Sequence, residues 1–402
     1  MRFLWVGDFG CDSGFANATH NTIRGLMKYG VVSVLGLNYY GDPHPMRNEV
    51  EAQGGSVFPA YRPGPGADLF GVNRIISVVA SMRPDVVILQ NDPWNMPRYM
   101  EKFKALAEGA DLHPVVMGAV AIDGLNTQGH YLEGLAHCIF WTEFARQEAI
   151  KGGYEGGTSV VPLGVDVKTY TPDDRIEARK RSEWPVEQVP LDAFCVLNVN
   201  RNQPRKRLDL MIEYFAEFYH GRKAENAYLY LHVAPTGDFG YDLAQLTKYY
   251  GLRGRVILSD PGPGKGLSEK ELADIYRSAD VYASTTVGEG WGLPAMEAMA
   301  CGISCVFGDW AAYGDWARPA AMLIPCTSTQ ASLNKVNIIG GIVDKQGFVA
   351  ALDNLYRYPE ARRVLGARGV ELANDPKYRW PNIAATFADE VMRAYNKAAL
   401  QL

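Results

Sequence analysis

The chain has 402 residues, with 40 Lys and Arg against 45 Asp and Glu and a formal net charge of −5. That length exceeds what one hydrophobic core normally organises, so two domains are expected. Hydrophobic residues at 47% and charged residues at 21% exclude a disordered chain, and the mixed, mildly acidic charge leaves the molecule as a whole without an electrostatic footprint for nucleic acid.

The opening MRFLWVGDFG breaks its apolar run at Gly7 and Asp8, too soon for a secretory leader. Nowhere do roughly 18 apolar residues run together without a charge, so no membrane-spanning helix is expected, and a cytoplasmic location is. The cysteines, Cys11, Cys138, Cys195, Cys301, Cys305 and Cys326, show no CxxC spacing, which speaks against zinc and against a disulfide framework. Cys301 and Cys305, the nearest to a pair, read as small buried residues.

Short apolar runs, RFLWVG, VVSVLGL, DVVILQ, PVVMGAV and CIFWT, alternate with amphipathic stretches of helical period. Strands so continuously apolar belong in a parallel sheet covered on both faces, a doubly wound α/β arrangement that binds ligands at its strand C-termini. After the first run, GDFGCDSGFANATHNTIRGL places Gly14 where a ligand can approach the backbone, and Asn17, His20, Asn21 and Arg24 share one face of the next helix, a face equally suited to solvent. PVVMGAVAIDGLN brings Asp123 to a strand end, with His130, read as a plain surface or core histidine, a few residues on. Trp5, Phe9, Phe15, Tyr39, Tyr40 and Trp94 are core residues by default, although such rings can also stack on a sugar or base.

The rhythm pauses after VVPLGVD, where residues 171–192 carry prolines and charges, and this marks a boundary between a domain of residues 1–170 and one of residues 171–381. The alternation then resumes with AFCVLNV, AYLYLHV, RVILSD, DVYAST and ISCVFG as strands, and with LDLMIEYFAEF and SEKELADIYRSA as helices. NVNRNQPRKRLDL delivers Arg201 and Lys206 from a strand's C-terminal edge, where fixed cations can stabilise a departing diphosphate without a metal. Arg205 and Arg207 read as solvated surface charge. In TTVGEGWGLPAMEAMACG a strand leads through a glycine-spaced loop into a helix whose first turn holds Pro294. Gly290 and Gly292 let an anion approach the free amides and positive end of that helix, while Glu289 and Glu297 look into the same mouth. Carboxylates beside a phosphate site are best satisfied by sugar and ribose hydroxyls. Residues 327–340 lack a helical period and read as an inserted loop or hairpin, and residues 346–402 as helices punctuated by Pro359, Pro376 and Pro381.

The segment EGWGLPAMEAMACG resembles the Glu-x7-Glu signature of retaining glycosyltransferase family 4, which has the GT-B fold of two Rossmann-like domains facing a cleft. Arg201 and Lys206, separated by four residues, resemble the pair that grips the donor pyrophosphate in that family. VVPLGVDVKTYTP and RWPNIAATFADEVMRAY also resemble family segments, so the likeness spans nearly the whole chain. It implies that Glu289 contacts the donor sugar's hydroxyls and Glu297 the ribose. The amides of Gly290, Trp291, Gly292 and Leu293 would lie near sugar and phosphate, and the Gly14 loop would line the acceptor side. The chain departs from the pattern at Asp123, where many members carry a histidine; a carboxylate there would accept a hydrogen bond from a donor hydroxyl. The terminal helix, residues 382–402, is expected to cross back to the first domain.

The resemblance implies transfer of a hexosyl or pentosyl unit from a nucleotide-diphosphate sugar, such as a UDP- or GDP-sugar, to an acceptor hydroxyl with retention of configuration. No metal and no cofactor beyond that co-substrate are expected. The acceptor stays open among glycans, small molecules, proteins, lipids and modified DNA. Two alternatives are a nucleotide-sugar epimerase of similar fold and a non-catalytic nucleotide-sugar-binding protein. A glycosidase would share the paired carboxylates but has no need of pyrophosphate-gripping cations.

Overall fold

A computed structural model describes residues 1–11, 13–61, 68–110, 112–182, 184–185, 187–234, 240–259, 266–333 and 336–400. The chain divides into two compact units, one made of Met1–Ile122, Asn126–Leu163 and Trp380–Leu402, the other of Asp123–Leu125 and Gly164–Arg379.

In the first unit seven parallel strands, β1 (Arg2–Asp8), β2 (Val31–Leu37), β3 (Val57–Pro59), β4 (Val86–Gln90), β5 (Val115–Val120), β6 (His137–Phe140) and β7 (Gly157–Val160), lie in the order β3-β2-β1-β4-β5-β6-β7. Helices α1 (Gly14–Leu26), α2 (Pro45–Ala52), α3 (Ile75–Met82), α4 (Met96–Ala110) and α5 (Glu143–Lys151) alternate with them. The five apolar runs of the sequence form β1, β2, β4, β5 and β6. Both faces of the sheet are covered, so Leu4, Val6, Val87, Leu89, Val116 and Phe140 are buried together. Because β1 has β2 on one side and β4 on the other, strand order reverses between β1 and β4, and the loops leaving them diverge around a crevice at the sheet's C-terminal edge.

The second unit repeats the plan with β8 (Phe194–Arg201), β9 (Ala227–Ala234), β10 (Val256–Ser259), β11 (Val281–Ser284), β12 (Ser304–Gly308) and β13 (Met322–Ile324), parallel and ordered β10-β9-β8-β11-β12-β13. Its helices are α6 (Arg175–Arg181), α7 (Leu208–Ala216), α8 (Leu243–Tyr249), α9 (Glu269–Arg277), α10 (Leu293–Ala300), α11 (Ala311–Trp316), α12 (Lys345–Arg357) and α13 (Pro359–Ala373). Strand order reverses here between β8 and β11. The aperiodic stretch near residues 327–340 belongs to an antiparallel hairpin of β14 (Cys326–Ala331) and β15 (Ile339–Val343). LDLMIEYFAEF is not one uniform helix: α7 ends at Ala216 and widens into a π turn over Glu217–Gly221. At the foot of β11, Asp280 accepts from the Cys195 amide at 2.9 Å and pairs with Arg175 and Arg179. The Arg179 guanidinium, wholly buried, also stacks over Trp184 at 4.1 Å, so α6 is pinned to the second sheet.

The last helix, α14 (Trp380–Ala399), packs in the first unit against α1. Phe387 meets Trp5 with ring centroids 5.6 Å apart, and Gly25 lets the backbones touch: a Cβ there would lie 2.0 Å from the Ala384 carbonyl oxygen. Among the described residues no helix is long and apolar enough to cross a membrane. Gly25→Ala is expected to force α1 and α14 apart and to destabilise the protein by about 1–3 kcal/mol, the range for overpacking a rigid contact, read as a lower thermal midpoint.

Candidate functional site

Arg201 ends β8 and is exposed; the chain then makes a tight turn over Pro204–Lys206 and enters α7 through Arg207, whose φ of 50° is left-handed. The loop after β11 runs from Thr285 to Gly292. These two loops leave the strands on either side of the reversal in strand order, the position where doubly wound sheets bind ligands. Several hydrogen bonds tie them together. The Val287 amide donates to the Arg205 carbonyl at 3.0 Å, the Thr285 hydroxyl to the Arg207 carbonyl at 2.8 Å, and the Arg205 guanidinium to the Gly288 carbonyl at 2.9 Å.

Tied in this way, the loops bring Lys206 and Glu289 into an ion pair in which both residues are more than nine-tenths buried. Burial pushes the Lys206 ammonium down to about 8, with Arg205 adding to the shift. Burial alone would raise the Glu289 carboxyl, but Lys206 and Arg205 outweigh it and hold the group below the usual carboxylate range. Arg205 lies 3.4 Å from the second oxygen of Glu289 and 3.7 Å from Asp123. Burial raises the Asp123 carboxyl, and Arg205 opposes that shift.

Gly292 caps α10 with a φ of 93°, and a Cβ there would meet the Tyr313 ring at 2.4 Å, so both conformation and space call for glycine. Leu293 and Pro294 open α10, leaving its first amides and the positive end of its dipole beside Gly290 and Glu289. The Trp291 side chain is 3% exposed and stacks on Trp316 at 5.1 Å, while its carbonyl accepts from the Trp316 indole at 2.9 Å. That side chain anchors the loop, and the backbone is the part of Trp291 that a ligand could use. One turn into α10, Glu297 accepts from the Tyr276 hydroxyl at 2.8 Å, and burial pushes its carboxyl up to about 7. The β14–β15 hairpin braces the assembly: the Gly341 amide donates to the Val287 carbonyl at 2.8 Å, Arg207 donates to Gln330 at 2.7 Å, and Ile339 and Leu125 exchange two bonds of 2.9 Å.

Arg201, Lys206, Glu289, Glu297 and the Gly290–Leu293 backbone thus share one edge of the second sheet, with Asp123 alongside. Gly14 lies elsewhere, as the exposed first residue of α1 in the first unit. There Ser13 caps α1 by accepting from the Ala16 amide at 3.0 Å and donates to Asp8 at 2.8 Å. On the face of α1 that carries His20, Asn17, His20 and Asn21 are half-buried and Arg24 is exposed. His20 bonds the Phe9 carbonyl at 2.9 Å, its ring centroid is 4.8 Å from that of His44, and burial pushes it down to about 4. His130 is exposed beside Tyr131. The loop SDPGPGKG, expected from its place at a strand end to neighbour the donor's base, has its residues 260–265 outside the described residues. Among the described residues, no group of three or more His, Cys, Asp and Glu side chains is arranged to hold a metal ion.

The expectation for Arg205 and Arg207 is corrected. Neither is simple surface charge, since Arg205 spans two loops and Arg207 is held by Asp209 at 2.8 Å and by Gln330. Pro204 marks a turn in the sequence, but nothing in the run shows which of the cations it directs toward the second loop.

Glu297 yields a pH-dependent expectation. Its folded carboxyl, at about 7, lies above the unfolded value, so the stability it contributes is fully present below about pH 4.5 and is lost as pH rises through 7. Glu297→Gln should therefore raise the thermal midpoint of the ligand-free protein at about pH 8. The gain should shrink toward pH 5 when melting curves are compared across that range.

Residues 180–339 match the family described as Glycosyl transferases group 1. A D-inositol 3-phosphate glycosyltransferase of Kineococcus radiotolerans is 32% identical over 230 residues, covering 53% of this chain and 48% of the relative. Another of that name, from Geodermatophilus obscurus, is 36% identical over 154 residues, covering 37% and 32%. The chain thus spans about a third to a half of the length of these curated relatives. Among solved structures, sucrose-phosphate synthase of Thermosynechococcus elongatus superposes with a TM-score of 0.74 at 16% identity, covering 98% of this chain and 99% of that one. Anabaena HepE in complex with UDP-glucose superposes with a TM-score of 0.71 at 14% identity, covering 98% and 100%. With two doubly wound parallel sheets the chain has the GT-B fold, and its segment around the loops of β8 and β11 matches the group 1 glycosyl transferases.

Proposed function

We propose that this protein is a retaining glycosyltransferase that moves a sugar from a nucleotide-diphosphate donor to an acceptor hydroxyl, with the donor held by the second unit and the acceptor by the first. The observation that carries this reading is the buried Lys206–Glu289 pair beside the free N-terminus of α10. Negative charge grows on the diphosphate as the glycosidic bond breaks. Lys206 and the first amides of α10 are donors held at that edge, which limits reorganisation during reaction, and Arg201 stands at the end of β8. Glu289 accepts from the donor sugar's hydroxyls and Glu297 from the ribose, a division that spares the phosphates from carboxylate repulsion. Asp123 supplies another acceptor at the sugar end. The leaving phosphate would take the acceptor's proton, so no enzyme nucleophile is invoked. HepE was solved with UDP-glucose, which makes that donor the first to test.

Calorimetry with UDP, GDP, ADP and their sugar conjugates, without added metal, should find tight binding of one nucleotide. Mass analysis should find sugar leaving it, with transfer rather than epimerisation as the outcome. Arg201→Ala should weaken diphosphate binding at least about tenfold. Glu289→Gln should lower turnover about 10²–10³-fold, the scale for removing one preorganised group, and should also lower the melting temperature, because Lys206 is left buried without its carboxylate. Full activity in Glu289→Gln would sink the site assignment.

A further inference from the structure

Arg205 sits at the point where the two site loops meet, and its contacts differ from those of a surface cation. Its backbone carbonyl accepts from the Val287 amide at 3.0 Å and from the Thr286 hydroxyl at 3.4 Å. Its guanidinium donates to the Gly288 carbonyl at 2.9 Å, the residue directly before Glu289. The two oxygens of Glu289 are unequal: Oε1 is taken by the buried Lys206, and Oε2 faces Arg205 at a loose 3.4 Å. Oε2, the more loosely held of the two, is thus the oxygen on the side that Arg205 controls. Beyond Arg205, 3.7 Å away, stands the second carboxylate, Asp123.

We propose that Arg205 is a positioning residue for the transfer reaction: it fixes the main chain before Glu289, aims Oε2 at the donor sugar, and screens Glu289 from Asp123. The inference rests on the glycosyltransferase reading and deepens it. The diphosphate needs Arg201 and Lys206, whereas Arg205 acts through Glu289 on the sugar end. The charged and titratable groups facing Glu289 are Lys206 and Arg205 from the β8 loop, Asp123, Tyr282 on β11 and Tyr313 on α11. Of these, Arg205 is within 4 Å of both carboxylates, at 3.4 Å from Glu289 and 3.7 Å from Asp123. Without it Asp123 and Glu289 would repel directly, and the Glu289 carboxyl would bind its proton more tightly.

The test compares the parent protein with Arg205→Ala, Arg205→Lys and Arg205→Ala combined with Asp123→Asn. With UDP and UDP-glucose as probes, Arg205→Ala should leave the Kd for UDP within about threefold and lower the kcat for glucose release at least about tenfold. The acid limb of its kcat profile should move to higher pH. Arg205→Lys should recover part of kcat, and Asp123→Asn in the alanine background should return the acid limb toward its original position, which a merely structural role would not do. Unchanged kcat and acid limb would overturn the inference. So would a tenfold weaker UDP complex with kcat preserved, which would make Arg205 a diphosphate ligand. A collapsed melting temperature that lysine does not restore, with no shift in the acid limb, would equally count against it. A final readout needs no turnover: the Glu289 carboxyl carbon, assigned by its loss in Glu289→Gln, should titrate at higher pH in Arg205→Ala when followed by NMR. An unchanged midpoint overturns the proposal even if UDP-glucose is not the donor; failure of the parent to bind any nucleotide sugar, with that midpoint shifted, would count against the glycosyltransferase reading instead.

Discussion

A lysine and a glutamate held together out of water form the constraint around which the second unit is arranged. Each ion alone would be costly to bury, by several kcal/mol even after relaxation, so the pair exists only if the two loops that carry it are held in register. That requirement accounts for features that otherwise look unrelated. A backbone bond links the Arg205 and Val287 main chains, glycines at 288 and 292 permit close approach, and the β14–β15 hairpin bonds to Val287 through Gly341. The pair reports alignment rather than supplying stability, since two apolar side chains would fill the same space at lower cost.

The topology explains why these loops are the ones that meet. In a doubly wound sheet, neighbouring loops normally turn to opposite faces only where strand order reverses, and the second sheet reverses between β8 and β11. Each of those strands is followed by a helix, so a turn and a helix N-terminus arrive at the same crevice. The cations come from one loop and the carboxylate from the other, so their pairing depends on the whole sheet between them rather than on any local segment.

Much of this was legible in the sequence because parallel, doubly covered strands leave an unmixed apolar signature. β1, β2, β4, β5 and β6, and β8 through β12, all begin in such runs. β3 and β13, three residues each, were too short to show a pattern, and β7, GTSV, lacks the apolar run that marked the equally short β6, β10 and β11. At the candidate site, Glu289, Glu297, Arg201 and Lys206 stood out because strand, glycine loop and helix follow one another within a few residues. Arg205 did not, because its defining contact is with Gly288, 83 residues away, and a run of Arg and Lys gives no sign of which member turns inward. The Trp291 side chain was hidden for a similar reason: its partner Trp316 is brought under the loop only by α11.

The packing of α14 against α1 has a consequence for how the molecule is made. The first unit draws its strands from the beginning of the chain and one covering helix from residues 380–399, so its sheet is synthesised long before its cover. On the ribosome, the face of α1 around Gly25 would stay open while more than two hundred intervening residues emerged and the second unit collapsed on its own core. The first unit to be translated is thus the last to be finished, and the second unit must fold without its support.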